Sequence, residues 1–397
     1  MSKRTQFIDE PTDFSLVQGG PLFQLLVRTR LLKPPMELLA LRIVVISLVA
    51  WLPLLLLSVF SGHAFGGTGI PFLLDLGAHA RLLVSVPLLL AAEVVVHQRG
   101  KLIVRQFLER NLVAPEDQPR FESLIASGMR LRNSALMEVL ILAFSILGGY
   151  PLGGRYLQMD TGTWYRAAIG GQMSLTPAGY WYLIVSLTIF RFILFRWYFR
   201  LVIWYRFLWQ VSRHIPLRLN ALHPDRAGGL AFLSGSTFAL QPILSAHTAA
   251  LSGFLGSKIW HEGATLPQFK LEIAAWIVFL MLLVLTPLVF FVIQLGISKR
   301  AGLREYSLVA SNYVAEFSRK WIEGRAPPGE ALIGSSDIQS LADLSNSYAV
   351  VKEMRLIPFG RGTIVRVATA TALPLLPLVL TMIPLDKLID QAIAVLF

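Results

Sequence analysis

Six polar, uncharged side chains recur at helical spacing in an otherwise apolar stretch: Ser234, Thr237, Gln241, Ser245, Thr248 and Ser252. The intervals are three, four, four, three and four residues, so at about 100° per residue all six fall within roughly 80° of arc on one helix face. Small hydroxyls and an amide solvate an ion or polar solute without holding it tightly, which is the chemistry of a hydrated path. The same residue types let helices approach and hydrogen-bond in lipid, so the stripe also reads as a packing seam. Pro242 lacks a backbone donor and predicts a kink beside Gln241. His247 projects about 120° from the centre of the stripe and reads as a hydrogen-bonded structural residue.

Formal charges inside apolar runs are costly and normally face protein or water, which makes Arg191, Glu93, Glu138 and Arg81 candidates for substrate or coupling chemistry. Arg191 is the deepest and requires a carboxylate or carbonyl partner. Arg196 and Arg200 are expected to reach the interface on their long stems. Their spacing through Arg206 lacks the three-residue period of a voltage-sensing helix. His223 and Asp225 are of metal-ligating type, but no third ligand stands near them. Pro224 and the Gly228–Gly229 pair instead predict a tight cytoplasmic turn in which Asp225 caps the next helix. The chain has no zincin H-E-x-x-H, nucleophile elbow, phosphate loop or cofactor fingerprint, so neither catalysis, a metal nor a cofactor is expected.

The elements that must position these residues are membrane spans. The 397 residues are 54% hydrophobic and 15% charged, which points to an all-α, polytopic transmembrane bundle rather than to soluble domains. A span needs roughly 20 apolar residues, and seven stretches come close: Leu39–Phe60, Leu73–Val96, Leu136–Leu152, Tyr180–Phe199, Leu230–Leu255, Ile273–Ile297 and Val365–Leu385. The last contains Pro374, Pro377 and Pro384, so its backbone carbonyls need partners outside the helix.

With the amino terminus inside, the cytoplasmic segments hold 26 of the 36 Lys and Arg residues and the external segments 5. That bias places the amino terminus in the cytoplasm and the carboxyl terminus outside. It also accounts for the net charge of +12 without nucleic acid as a partner. The opening, M-S-K-R-T-Q-F-I-D-E, has no apolar core beside its basic residues, so a cleaved leader is not expected. There is no cysteine, which excludes disulfides and thiolate chemistry.

Outside the spans, Leu22–Lys33 reads as a basic amphipathic helix on the membrane surface, and Lys101–Val113 with Gln118–Arg132 as a helical hairpin. Residues 298–362 form the largest cytoplasmic insertion. Its first helix carries Leu303, Tyr306, Ala310, Tyr313, Phe317 and Trp321 on one face, and its second is expected to begin with a capping box of Ser336 and Gln339. Residues 386–397 predict an external amphipathic tail.

The segments L-H-P-D-R-A-G-G-L from Leu222, S-S-D-I-Q-S-L-A-D-L from Ser335 and M-R-L-I-P-F from Met354 resemble an uncharacterised family of bacterial polytopic integral membrane proteins. The resemblance implies a location in the bacterial cytoplasmic membrane and brings no substrate. In span number and orientation alone the chain is similar to the insect olfactory receptor type of ion channel. The expected function is an oligomeric channel or pore for ions or small polar solutes, with homo-oligomer contacts through the cytoplasmic helices. The alternatives are a carrier using the intramembrane charges and a non-catalytic assembly or signalling protein.

Overall fold

The computed structural model describes residues 14–31, 33, 37–148, 162–169 and 172–382. These are almost entirely helical, with one short antiparallel hairpin of β1 (Arg166–Ile169) and β2 (Gln172–Leu175). In chain order the principal helices are α1 (Pro21–Arg28), α2 (Leu39–Phe60), α3 (Leu76–Glu109), α4 (Gln118–Arg132), α5 (Ala135–Leu147) and α6 (Pro177–His214). They are followed by α7 (Gln241–Glu262), α8 (Leu266–Val289), α9 (Val292–Phe317), α10 (Ser336–Glu353) and α11 (Arg361–Met382). Five of them, α2, α3, α6, α8 and α11, are long and apolar enough to cross a bilayer, which fits a membrane protein.

The first expected span has the same limits as α2. The fourth lies within a longer helix and the second starts three residues before one, both helices running on past their apolar stretches, and α3 extends to supply the first half of the expected hairpin with α4. The third corresponds to α5, whose 13 residues rise only about 20 Å, and residues 149–152 lie outside the described part. The fifth is not one helix. A 3₁₀ turn at Ala231–Ser234 and a short helix at Gly235–Ala239 precede α7, which carries Pro242 in its first turn, where a missing donor costs nothing. α7 falls outside the five because it carries too many polar residues. Its shelter is protein rather than lipid, with α3 and α11 packed along it. The sixth breaks at Phe290–Phe291, between α8 and α9.

Three prolines inside the long helices free carbonyls that neighbouring helices satisfy. Pro53 frees the carbonyl of Val49, which accepts from Trp181 Nε1 at 3.3 Å. Pro287 frees that of Leu283, which accepts from the Tyr205 hydroxyl. In α11, Pro374 turns the backbone into a 3₁₀ stretch and frees the carbonyl of Ala370, which accepts from Ser245 Oγ at 3.2 Å.

Outside the apolar belt, α9 and α10 pack on each other. Asp337 ties α10 to the turn that follows α9 by accepting from Trp321 Nε1 at 2.8 Å and Lys320 Nζ at 2.9 Å. The expected capping box does not form: Ser335 is the cap residue, and Gln339 donates instead to Asp343 at 2.9 Å, one turn on along its own face. α1 is shorter than expected, ending where Arg30 takes a left-handed conformation (φ 57°). It leans on the bundle through Phe23, Leu26 and Val27. The expected tail at residues 386–397 lies outside the described residues.

Candidate functional site

Five ionisable side chains from four helices meet inside the bundle, at the end where α2 and α5 begin. Glu93, on α3, lies at the centre. Arg42 Nη2 of α2 stands 3.1 Å from its Oε2, and Arg200 Nη2 and Arg196 Nη1 of α6 stand 2.9 and 3.6 Å from its Oε1. Arg196 reaches onward to Glu138 Oε1 of α5 at 3.1 Å. All five are buried, Arg42 to 1% exposure.

The local sequence explains why they converge. Arg196 and Arg200 are four residues apart and so share a face of α6, where Arg200 also stacks over Trp197 at 4.6 Å. Arg42 and Glu138 each sit in the first turn of their helix, whereas Glu93 and the two arginines lie deep in helices running the other way. Antiparallel packing brings all five to one depth. Arg196 and Arg200 therefore turn inward instead of reaching the interface, because two carboxylates wait at the same level.

Among the described residues the charges do not cancel: three guanidinium groups face two carboxylates. Arg42 Nε and Nη1 have no acceptor among the described residues. The second oxygen of Glu138 accepts the backbone N–H of Leu22 at 2.7 Å, so one carboxylate holds both Arg196 and the amino-terminal turn of α1.

A cavity of about 290 Å³ adjoins the cluster. Leu22, Leu26 and Leu31 from α1 and the turn after it close one end, α2 contributes Val45, Ile46 and Val49, and α6 contributes Ile189, Phe192 and Ile193. Glu93, Arg196 and Arg200 form the polar end. α2 packs on α6 through Pro177–Ser186 but separates from it further along, and the cavity occupies that gap.

The other sequence candidates lie elsewhere. In the stripe of α7 and its preceding turns, Ser234, Thr237, Ser245 and Thr248 each donate to a backbone carbonyl, and Thr237 and Thr248 are fully buried. Ser252 is buried beside Gly253, where α7 and α3 are so close that an added Cβ would lie 2.3 Å from that of Ala80. Gln241, at the start of α7, is partly exposed. His247 Nδ1 lies 2.7 Å from the carbonyl of Ile243 and its Nε2 2.7 Å from the Tyr198 hydroxyl.

Arg191 has no carboxylate partner among the described residues. Arg81 donates to the Tyr182 hydroxyl and lies over the Phe190 ring. Asp75 accepts from Trp164 Nε1 at 2.9 Å and caps the start of α3 through the Ala78 N–H, also at 2.9 Å.

His223 and Asp225 form the predicted turn. Asp225 accepts the N–H groups of Ala227 at 2.8 Å, Gly229 at 3.1 Å and Ala231 at 3.0 Å, with His223 Nδ1 3.0 Å away. Partial burial raises its carboxyl pKa, but the three amide donors outweigh that and hold it below the usual carboxylate range. Arg355 joins this turn to Met354–Phe359 by donating from Nη2 to the Asp225 carbonyl at 2.8 Å. No group of three metal-ligating side chains occurs among the described residues.

Arg42, Arg196 and Arg200 are the site residues that sequence reasoning missed. The available signal was depth, since Arg42, Glu93, Glu138 and Arg196 lie within one turn of the basic ends of their expected spans and Arg200 lies one residue past such an end. Comparison with protein-family models, with curated proteins and with solved structures yields no match.

Proposed function

We propose that the chain is an integral protein of the bacterial cytoplasmic membrane that carries an anionic solute by way of the buried cluster around Glu93. In this reading the five long helices are joined by α5 and α7 as further crossings, giving seven. The amino terminus is cytoplasmic and the carboxyl terminus external, as the distribution of Lys and Arg favours. The cluster then lies just inside the cytoplasmic face.

The observation that carries the proposal is the surplus guanidinium charge, buried beside a cavity. An uncompensated charge inside a membrane bundle costs several kcal/mol, and an anion delivered to the cavity offsets that cost. A path along the α7 stripe has less support, because four of its five hydroxyls donate to carbonyls and two of its residues are fully buried.

Proteoliposomes containing the full chain test the proposal. Uptake of small carboxylates and phosphate should saturate and should fall at least tenfold in Arg196→Gln, while Gln241→Leu has no effect. Non-saturating flux that is lost in Gln241→Leu but kept in Arg196→Gln would restore the pore. Because the chain has no cysteine, single cysteines at Phe65 and Ile333, both strongly exposed, test the orientation directly. An impermeant thiol reagent added outside intact cells should label the first and not the second.

A further inference from the structure

The anion reading leaves open what kind of anion fits. The cavity is divided: ten of its thirteen lining residues are apolar, and the three charged ones, Glu93, Arg196 and Arg200, gather at one end. A small hydrophilic anion would leave the apolar length unused. Along α6 the lining runs from Ile189 to Arg200, or about 16 Å at roughly 1.5 Å per residue. The volume of about 290 Å³ is near the lower limit for ligand sites, which suits one narrow chain and excludes a two-chain lipid lying wholly inside.

The way in is lateral. Val49, on the cavity wall, is 45% exposed on the flank of α2, a surface that faces lipid if α2 spans the membrane. Arg42, one turn before Val45 and Ile46 on α2, is buried behind this wall and reaches the polar end only through Glu93. α1, held by Glu138, supplies Leu22 and Leu26 to the cavity wall.

We propose that the cavity takes a single-chain anionic amphiphile from the membrane, with its carboxylate or phosphate head at Arg196 and Arg200 and its chain between α2 and α6. This rests on the anion reading and narrows it. Moving an alkyl chain from lipid into an apolar cavity gains little, since lipid tails are as apolar as leucine. Selectivity must then come from the head, and retention requires both charge and chain.

Native mass spectrometry of the full chain in a neutral detergent tests this with myristate and a lysophosphatidate as probes, and with myristyl alcohol, acetate and inorganic phosphate as comparators. Both anionic amphiphiles should be retained at least tenfold better than the neutral alcohol and than either soluble anion. Filling the cavity from opposite walls, with Val45→Trp on α2 or Ile193→Trp on α6, should each lower that retention at least tenfold. The comparison among ligands needs no variant, so a misfolded substitution leaves the test intact. If acetate or phosphate binds as tightly as the chain-bearing probes, the amphiphile is overturned and the anion reading stands. If retention follows chain length alone, with the alcohol equal to myristate, the cavity is an apolar crevice and both ideas fall, as they do if nothing is retained.

Discussion

Replacing Glu93 with glutamine tests whether the cluster is balanced as its geometry suggests. Three guanidinium groups lie 2.9, 3.1 and 3.6 Å from its two oxygens, and both Glu93 and Arg42 are at most 5% exposed. The substitution conserves shape and an acceptor near Arg200 but removes the charge, leaving Glu138 alone opposite three arginines. Breaking a buried ion pair costs about 3–5 kcal/mol, and the retained acceptor places Glu93→Gln near the lower figure. For a chain of this length that is a fall in Tm of about 4–8 °C, scaling from about 2–4 °C per kcal/mol in smaller domains. Thermal unfolding in detergent, followed by tryptophan fluorescence, measures it. The second arm is Glu93→Gln with Arg42→Gln, which restores the native surplus of one positive charge. The pair should lose at least 1.5 kcal/mol less than the sum of the single changes, as expected of residues in one network. A Tm shift below about 1 °C, or strict additivity, would refute the account of a charge-coupled cluster.

Ser245→Ala should cost about 1–3 kcal/mol, because it leaves the carbonyl freed by Pro374 without its donor; the same melt measures it, and an unchanged Tm would argue that the hydroxyl faces a hydrated space. Gly253→Ala should cost about 1–3 kcal/mol by forcing α7 away from α3, where the new Cβ would lie 2.3 Å from that of Ala80 and 2.7 Å from the Leu76 carbonyl oxygen. Gly100→Ala, with open space around it on α3, should be neutral or stabilising. Asp225→Ala should lose about 2–3 kcal/mol through its three amide donors. The folded-state pKa of Asp225 is depressed, so this contribution is complete above about pH 4 and lost as pH falls through the folded value. The destabilisation by Asp225→Ala should therefore shrink in melts below about pH 4, and a cost independent of pH would sink the assignment.

Much of the architecture was legible because lipid-facing helices carry their environment in their own composition. α2 could be delimited to the residue from an apolar run broken by a single charge, Arg42, and the presence of α9 and α10 followed from the spacing of their apolar faces. The turn at His223–Asp225 followed from proline and glycine chemistry within nine residues. α7 was harder: its stripe was visible, but a helix sheltered by protein lacks the composition that marks one sheltered by lipid, and the choice between water and a neighbouring helix belongs to the neighbour.

The sequence by itself determined most of the helices and the uneven spread of Lys and Arg along the chain, but not where the fifth and sixth apolar stretches divide. Only the tertiary structure decided where the long cationic side chains go. Whether Arg196 and Arg200 extend to the surface or turn inward depends on Glu93 and Glu138, carried by helices more than 50 residues away along the chain. The same holds for Trp181, Tyr205 and Ser245, each matched to a carbonyl that a distant proline set free. Periodicity describes the face a helix presents; it holds no information about which other face will meet it.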